Sequence, residues 1–387
     1  MRRHHPRRRG AVVSLAASLL ALTAGQTVNA LPATAAPHPH TPASAVSAAE
    51  EQAARAIAGS LTDTAWRARV GKAALASDDV AVTTLAGQAR GSLKTELAAA
   101  DRRIAAAKGL DAGVGPLLRL RLGDDSMRAA LAAGAAPWVT AASLDDDAAT
   151  VTAWDSQGRT HTLDARKAPT HPVYVVDIDG SKALAAGLAV MNKELTRYGV
   201  ASAKATPSRA QAPAAGSRAQ AAATGGFWTT RITSVELSDD EEPWVKGDAE
   251  IYTLVTGFGQ DGAVRVDPVD MPYLDNDGTV YRPNQILVNW SNYKYNLADA
   301  VMMEEDGSTN YRDLAKAIAT VLLTVTDQGT YIPLVNAVLD AIPDDWWTDD
   351  PDYVDSWYTL AQSDNGTRYG ARGNGWMTVE PYFVQQF

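Results

Sequence analysis

The stretch SDDEEPWVKGDAEIYTLVTGF (residues 238–258) runs from a block of carboxylates straight into a strand. Its first part crowds Asp239, Asp240, Glu241, Glu242, Asp248 and Glu250 around Pro243 and Gly247. Like charges so close repel, so this part belongs on a connection exposed to water or held by a cation. Its second part, AEIYTLVTGF, is rich in β-branched and aromatic residues, which suit a pleated, half-buried strand.

The strand texture recurs on both sides. FWTTRITSVEL precedes it, and TVYRPNQILVNW, YNLADAVMM, DSWYTLAQS and GWMTVEPYFV follow, with turn pairs such as Asp277-Gly278 and Asn365-Gly366 between them. This spacing predicts an antiparallel β-sandwich over residues 227–387. One block breaks the pattern. YRDLAKAIATVLLTV and IPLVNAVLDAI carry apolar residues at i, i+3 and i+4 and flank Gly329, which predicts a helical hairpin inserted over residues 309–342. Two more acidic runs sit at strand junctions: MEEDGS (303–308) before the insertion and PDDWWTDDPDYVDS (343–356) after it.

Upstream the texture changes. From Ser47 to about Leu110 the chain is rich in alanine with few breakers, and Leu93, Leu97, Ile104 and Leu110 recur at roughly helical spacing. ATVTAWDSQGRTHTL (149–163) alternates around Ser156-Gln157-Gly158, a hairpin signal; PVYVVDI (172–178) reads as a buried strand, and SKALAAGLAVMNKELTRYG (181–199) as a helix ending on Gly199. Residues 45–200 thus form a smaller α+β domain. Residues 201–226, without aromatic or large aliphatic side chains, read as an Ala/Pro/Ser-rich linker. The expected class is α+β, with a small N-terminal domain followed by a β-sandwich that carries the helical insertion.

At the N-terminus, Arg2, Arg3, Arg7, Arg8 and Arg9 precede the apolar run GAVVSLAASLLALTA, and Ala33-Thr34-Ala35 offers a small-residue cleavage site. Residues 1–35 are expected to be an export signal cleaved near Ala35, and 36–44 a disordered tail. The chain is then secreted, with no transmembrane segment.

Composition narrows the function. Residues 227–387 hold 27 acids against 9 Lys and Arg, a net of −18, whereas residues 36–226 hold 18 against 21, a net of +3. So acidic a half repels phosphate backbones, which excludes a nucleic-acid partner, and suits a divalent cation. The chain has no cysteine, and residues 172–387 have no histidine, which disfavours a transition metal there. If the three acidic junctions share one end of the sandwich, Asp240, Asp248, Glu250, Asp306, Asp349, Asp352 and Asp355 converge as ligands for Ca²⁺, which takes six to eight oxygens at about 2.3–2.6 Å. Trp346 and Trp347 either anchor that loop or stand exposed beside the ion, where they can stack on a glycan or enter a membrane interface.

A strand, an acidic loop, GDAEIY, then EED closing one strand and DDPDYVDS opening the next resemble the C2-type calcium-binding β-sandwich. By that resemblance Asp240 and Asp248 belong to a first ligand loop, while Asp306 and the aspartates of 349–355 belong to a third. The chain departs from the family in its helical insertion and in Ala249-Glu250, where the family's first-loop motif has proline. The whole arrangement, with the WDSQGRTHTL and HPVYVVDIDG stretches ahead of the sandwich, is similar to a secreted bacterial family of unknown function.

Enzyme signatures are sparse. There is no G-x-S-x-G, H-E-x-x-H or phosphate-loop motif, and His161 and His171 read as surface or strand-edge histidines. The expectation is a non-enzymatic protein. The alternative is a glycan hydrolase using paired carboxylates, with Asp345 or Asp349 beside Trp346 and Trp347.

Overall fold

Ser44 caps helix α1 (Ala45–Ser60) by accepting the Ser47 N–H, and Val46, Ala49, Ala53 and Ile57 fall on one face three or four residues apart. That face packs on α4 (Leu93–Ala107), whose Leu93, Leu97, Ala100 and Ile104 repeat the interval. Between them run α2 (Thr64–Ala76), capped by Asp63, and the short α3 (Val82–Leu85). The structure is a computed structural model that describes residues 44–142, 148–200, 225–238, 244–246, 249–305, 309–342 and 353–385.

The helices cover a five-stranded sheet of order β1-β5-β2-β3-β4, made of β1 (Leu118–Leu122), β2 (Trp138–Ala141), β3 (Thr150–Trp154), β4 (Thr160–Asp164) and β5 (Val173–Ile178), with α5 (Arg128–Ala132) between the first two. All neighbours are antiparallel except β2 and β5. The expected hairpin is β3–β4. Asp155 closes it by accepting the N–H groups of Gln157 and Arg159, and Gly158 supplies the turn's positive φ of 78°. The expected helix is α6 (Gly180–Tyr198), and Gly199 ends it in the left-handed conformation.

The second half contains two four-stranded antiparallel sheets, ordered β11-β10-β7-β8 and β12-β13-β6-β9. Their strands are β6 (Gly226–Leu237), β7 (Ile251–Phe258), β8 (Val264–Asp270), β9 (Gln285–Asn289), β10 (Leu297–Glu304), β11 (Tyr353–Ala361), β12 (Gly366–Tyr369) and β13 (Gly375–Gln385). Ile232, Val235, Ile251, Val255, Met302, Trp357 and Val379 fill the space between them. The inserted block forms α7 (Tyr311–Leu322) and α8 (Val335–Leu339). The second helix is shorter than its periodicity predicts. Pro333 disfavours a helical residue before it, and the chain is held just after it, where Leu334 donates its N–H to the buried Asp299 at 2.5 Å.

Every residue of β7 is buried, on both faces. Ile251 and Val255 enter the sandwich core. Tyr252, Leu254 and Phe258, with Val266 of β8 and Val301 and Met303 of β10, point the other way into a second core shared with α6, α7, α8 and the N-terminal sheet. Burying each such side chain is worth roughly 1.5–3 kcal/mol, so these six together hold the halves firmly. The outer edge of β8 is also occupied, since Val266 donates to the Val200 carbonyl at 2.7 Å. Residues Ala43–Phe387 form one compact unit.

Candidate functional site

Strand register brings together the strand ends that flank the three acidic junctions. Glu304, ending β10, pairs with Ile251, which begins β7, and Met303 pairs with both Tyr252 and Tyr353, which begins β11. Paired residues of this kind lie about 4.5–5.5 Å apart at Cα. The end of β6 joins them through β13: Ser238 donates to the Asn374 carbonyl, and Asn374 and Gly375, which begins β13, donate in turn to Asp355 of β11. The connections at 238–250, 305–310 and 343–352 therefore leave one pole of the sandwich. Of the expected ligands, Asp240, Asp248, Asp306, Asp349 and Asp352 lie outside the described residues, as do Trp346 and Trp347 and the alternative pair's Asp345.

Two expected ligands are described, and both have other tasks. Asp355 is fully buried. Its Oδ1 accepts the N–H groups of Ser356 and Arg372 at 2.7 and 2.8 Å, and its Oδ2 those of Asn374 and Gly375, both at 2.9 Å. Four N–H groups fill the acceptor directions of a carboxylate and leave none for a cation. Asp355 is the anchor that ties β11 to the turn before β13. Glu250 turns inward, onto the sheet face that meets the N-terminal half. Its carboxyl rests against Gly180, the first residue of α6, where any side chain would collide with it. A helix N-terminus carries a partial positive charge that suits a carboxylate. Among the described residues, no three His, Asp or Glu side chains are arranged to hold a metal ion.

Beside Glu250 lies a buried ionic seam that the sequence does not announce. Lys108, the residue that ends α4, pairs with Glu305, and their side chains are 0% and 1% exposed. The Tyr311 hydroxyl donates to the other carboxyl oxygen of Glu305. Burial first, then the charge of Glu305, raises the Tyr311 phenol well above its ordinary value, so it stays a donor at neutral pH. The Tyr311 ring lies flat against Gly187 of α6, at a point where a methyl group would overlap it. Around this centre, Asn310 Nδ2 donates to the Ala107 carbonyl at 2.7 Å, the Tyr311 N–H to that of Lys108 at 3.2 Å, and Arg312 bonds Glu194 at 3.0 Å. A lysine next to Gly109 reads as a surface helix end; only Glu305 gave a hint, within an acidic run already assigned to water or metal.

His161 and His171 pack on one tryptophan, the first stacked and the second tilted. Trp138 lies between His161 and His171, each with ring centroids 3.9 Å away. His161 approaches the Asp155 carboxylate at 3.3 Å. Burial would raise the Asp155 pKa, but bonds from the Arg159 side chain and N–H, the Gln157 N–H and His161 outweigh it and hold the carboxyl well below its usual range. Burial also depresses the pKa of His171, only partly offset by its bond to Ala136. Asp155 is thus committed to its turn.

The class these features define is an α+β protein in which an N-terminal α+β layer and a β-sandwich share one core, with the strand ends that flank its acidic connections at one pole. The chain belongs to the family described as Protein of unknown function (DUF3103), which it matches over residues 53–387. The match begins inside α1 and ends at the last residue, so it takes in both halves and the seam between them. No curated protein and no solved structure matches the chain.

Proposed function

We propose that the chain is an exported, non-enzymatic protein whose C2-like sandwich binds Ca²⁺ at its acidic pole. The supporting observation is the register that starts β7 and β11 beside the end of β10, because the connections leaving there carry Asp248, Asp306 and Asp352. Asp240 and Asp349 complete the ligand set, while Glu250 and Asp355 brace the ends of the connections from inside. The ion fixes the loop carrying Trp346 and Trp347 and presents them to a ligand outside the cell. Ca²⁺ suits this donor set because it accepts irregular arrays of carboxylate and carbonyl oxygens.

The test is calorimetric unfolding of the mature chain in millimolar Ca²⁺ and in chelator. At a free ion concentration of about 100 times Kd, binding adds about 2.7 kcal/mol to stability, and the Asp248→Asn/Asp352→Asn double variant should lose that gain. A midpoint indifferent to Ca²⁺ refutes the metal site. Mass spectrometry of culture supernatant tests export separately, with a new N-terminus at Ala36 expected and an uncleaved chain opposing it.

A further inference from the structure

A cavity of about 550 Å³ opens between α2, the turn after α5 and Tyr174 of β5. It belongs to the N-terminal half and is independent of the proposed metal pole. Its volume falls in the range of small-molecule sites, about 300–1,000 Å³. One face of α2 lines it: Arg67, Gly71, Lys72 and Leu75 follow one another at helical intervals, while Trp66, Val70 and Ala74 on the other face enter the core. Leu131 and Pro137 form the opposite wall, and among the described residues no Asp or Glu lines the cavity.

The feature that points to a ligand is the hydroxyl of Tyr174. The residue is completely buried, yet the hydroxyl has no hydrogen-bond partner among the described residues. Such an orphan costs about 1–3 kcal/mol. It lies beneath Gly71, where a Cβ would stand 3.5 Å from it. A glycine inside a helix costs about 1 kcal/mol relative to alanine, and here its missing side chain leaves a small seat over the phenol. Arg67 lies one turn before that seat and Lys72 directly after it. Arg67 commits one N–H to the Leu61 carbonyl at 3.4 Å and keeps four for other partners. Burial raises the phenol's pKa, so it stays a donor at neutral pH.

We propose that this cavity binds an amphipathic organic carboxylate, its head seated over Gly71 between Arg67, Lys72 and the Tyr174 hydroxyl, and its apolar body along Leu75, Leu131 and Pro137. The anion neutralises the two cations and supplies the acceptor that the phenol lacks. The apolar walls separate this ligand from inorganic phosphate, which would leave them wet.

Titration calorimetry on the mature chain tests this with octanoate as the probe, octanamide as its neutral counterpart and inorganic phosphate as a head without a body. Octanoate should bind at least tenfold tighter than either. Arg67→Gln/Lys72→Gln should weaken octanoate tenfold or more. Gly71→Ala and Tyr174→Phe should also weaken it at least fivefold while leaving the unliganded midpoint equal or higher, since one improves the helix and the other removes the orphan hydroxyl. These two variants distinguish binding from a merely structural role. Absence of octanoate heat, equal binding of octanamide or phosphate, or full binding by the double variant overturns the proposal.

Discussion

Replacing Lys108 by Met removes the cation from the seam while keeping most of its buried stem. Glu305, 1% exposed at its side chain, then loses the Lys108 ammonium beside it. It has two options. Remaining ionised costs about 3–5 kcal/mol, the usual penalty for breaking a buried pair. Taking up a proton at pH 7 costs a glutamate of ordinary pKa, about 4.3, roughly 3.7 kcal/mol. The cheaper route sets a ceiling, so the expected loss is about 3–4 kcal/mol at pH 7. Over Ala43–Phe387, an unfolding entropy of about 2.1 cal/mol/K per residue turns this into a fall of about 5 °C in the midpoint. The sign of the pH dependence follows from the proton. In the variant the folded pKa of Glu305 is raised, so its protonated form stabilises the fold fully below about pH 4.3 and this contribution fades as pH rises through the folded value. The deficit relative to the parent should therefore shrink to about 1 kcal/mol at pH 5. Scanning calorimetry of parent, Lys108→Met and Lys108→Met/Glu305→Gln at pH 5 and 7 reads all of this, and the double variant should regain at least half the loss. A deficit of the same size at both pH values, or a double variant no better than the single, would refute the account of the seam.

Asp355→Asn should cost about 2–4 kcal/mol in urea unfolding, because an amide presents N–H groups to backbone donors that need acceptors; the same change at the exposed Asp340 should cost almost nothing. Burial raises the Asp177 carboxyl to about 6, with Arg121 opposing the shift, so stability supplied by its protonated form is present below about pH 4 and lost as pH rises through 6. Asp177→Asn, neutral throughout, should lack that slope and match or exceed the parent at pH 7, as thermal midpoints from pH 4 to 7 will show. Gly187→Ala should destabilise by about 1–3 kcal/mol in the same assay, because overlap with the Tyr311 ring outweighs the gain in helix propensity, whereas Gly59→Ala, with open space around it, should stabilise.

Much of the architecture was legible because it rests on local chemistry. Ser156-Gln157-Gly158 marked the β3–β4 turn, Gly199 marked the end of α6, and the spacing of Leu314, Ile318 and Leu322 marked α7. Other elements hid for identifiable reasons. LRLRL at 118–122 alternates as a strand should, but arginine at every second position is ordinary on a solvent face, while in the fold Arg119 and Arg121 reach Asp179 and the carbonyls of Trp244 and Val245. β8 contains Pro268, which argues against a strand, and is tolerated at a sheet edge. Periodicity named the apolar residues of β7 without saying that its two faces serve different cores. The candidate site was legible only in part. Composition gathered the acids, and register sets the strand ends that flank them side by side. Nothing in a carboxylate's neighbours could tell that Asp355 would be taken by four N–H groups, or Glu305 by a lysine nearly two hundred positions earlier.

The sheet formed by β8, β7, β10 and β11 is clothed on both sides, by the rest of the sandwich and by the N-terminal half. A protease cutting anywhere within 201–224 would sever the covalent thread without separating the pieces, and the nicked product should elute from a sizing column as a single species. Expressed alone, residues 227–387 would instead display Tyr252, Leu254 and Phe258 to water and should precipitate until the missing partner is supplied in trans.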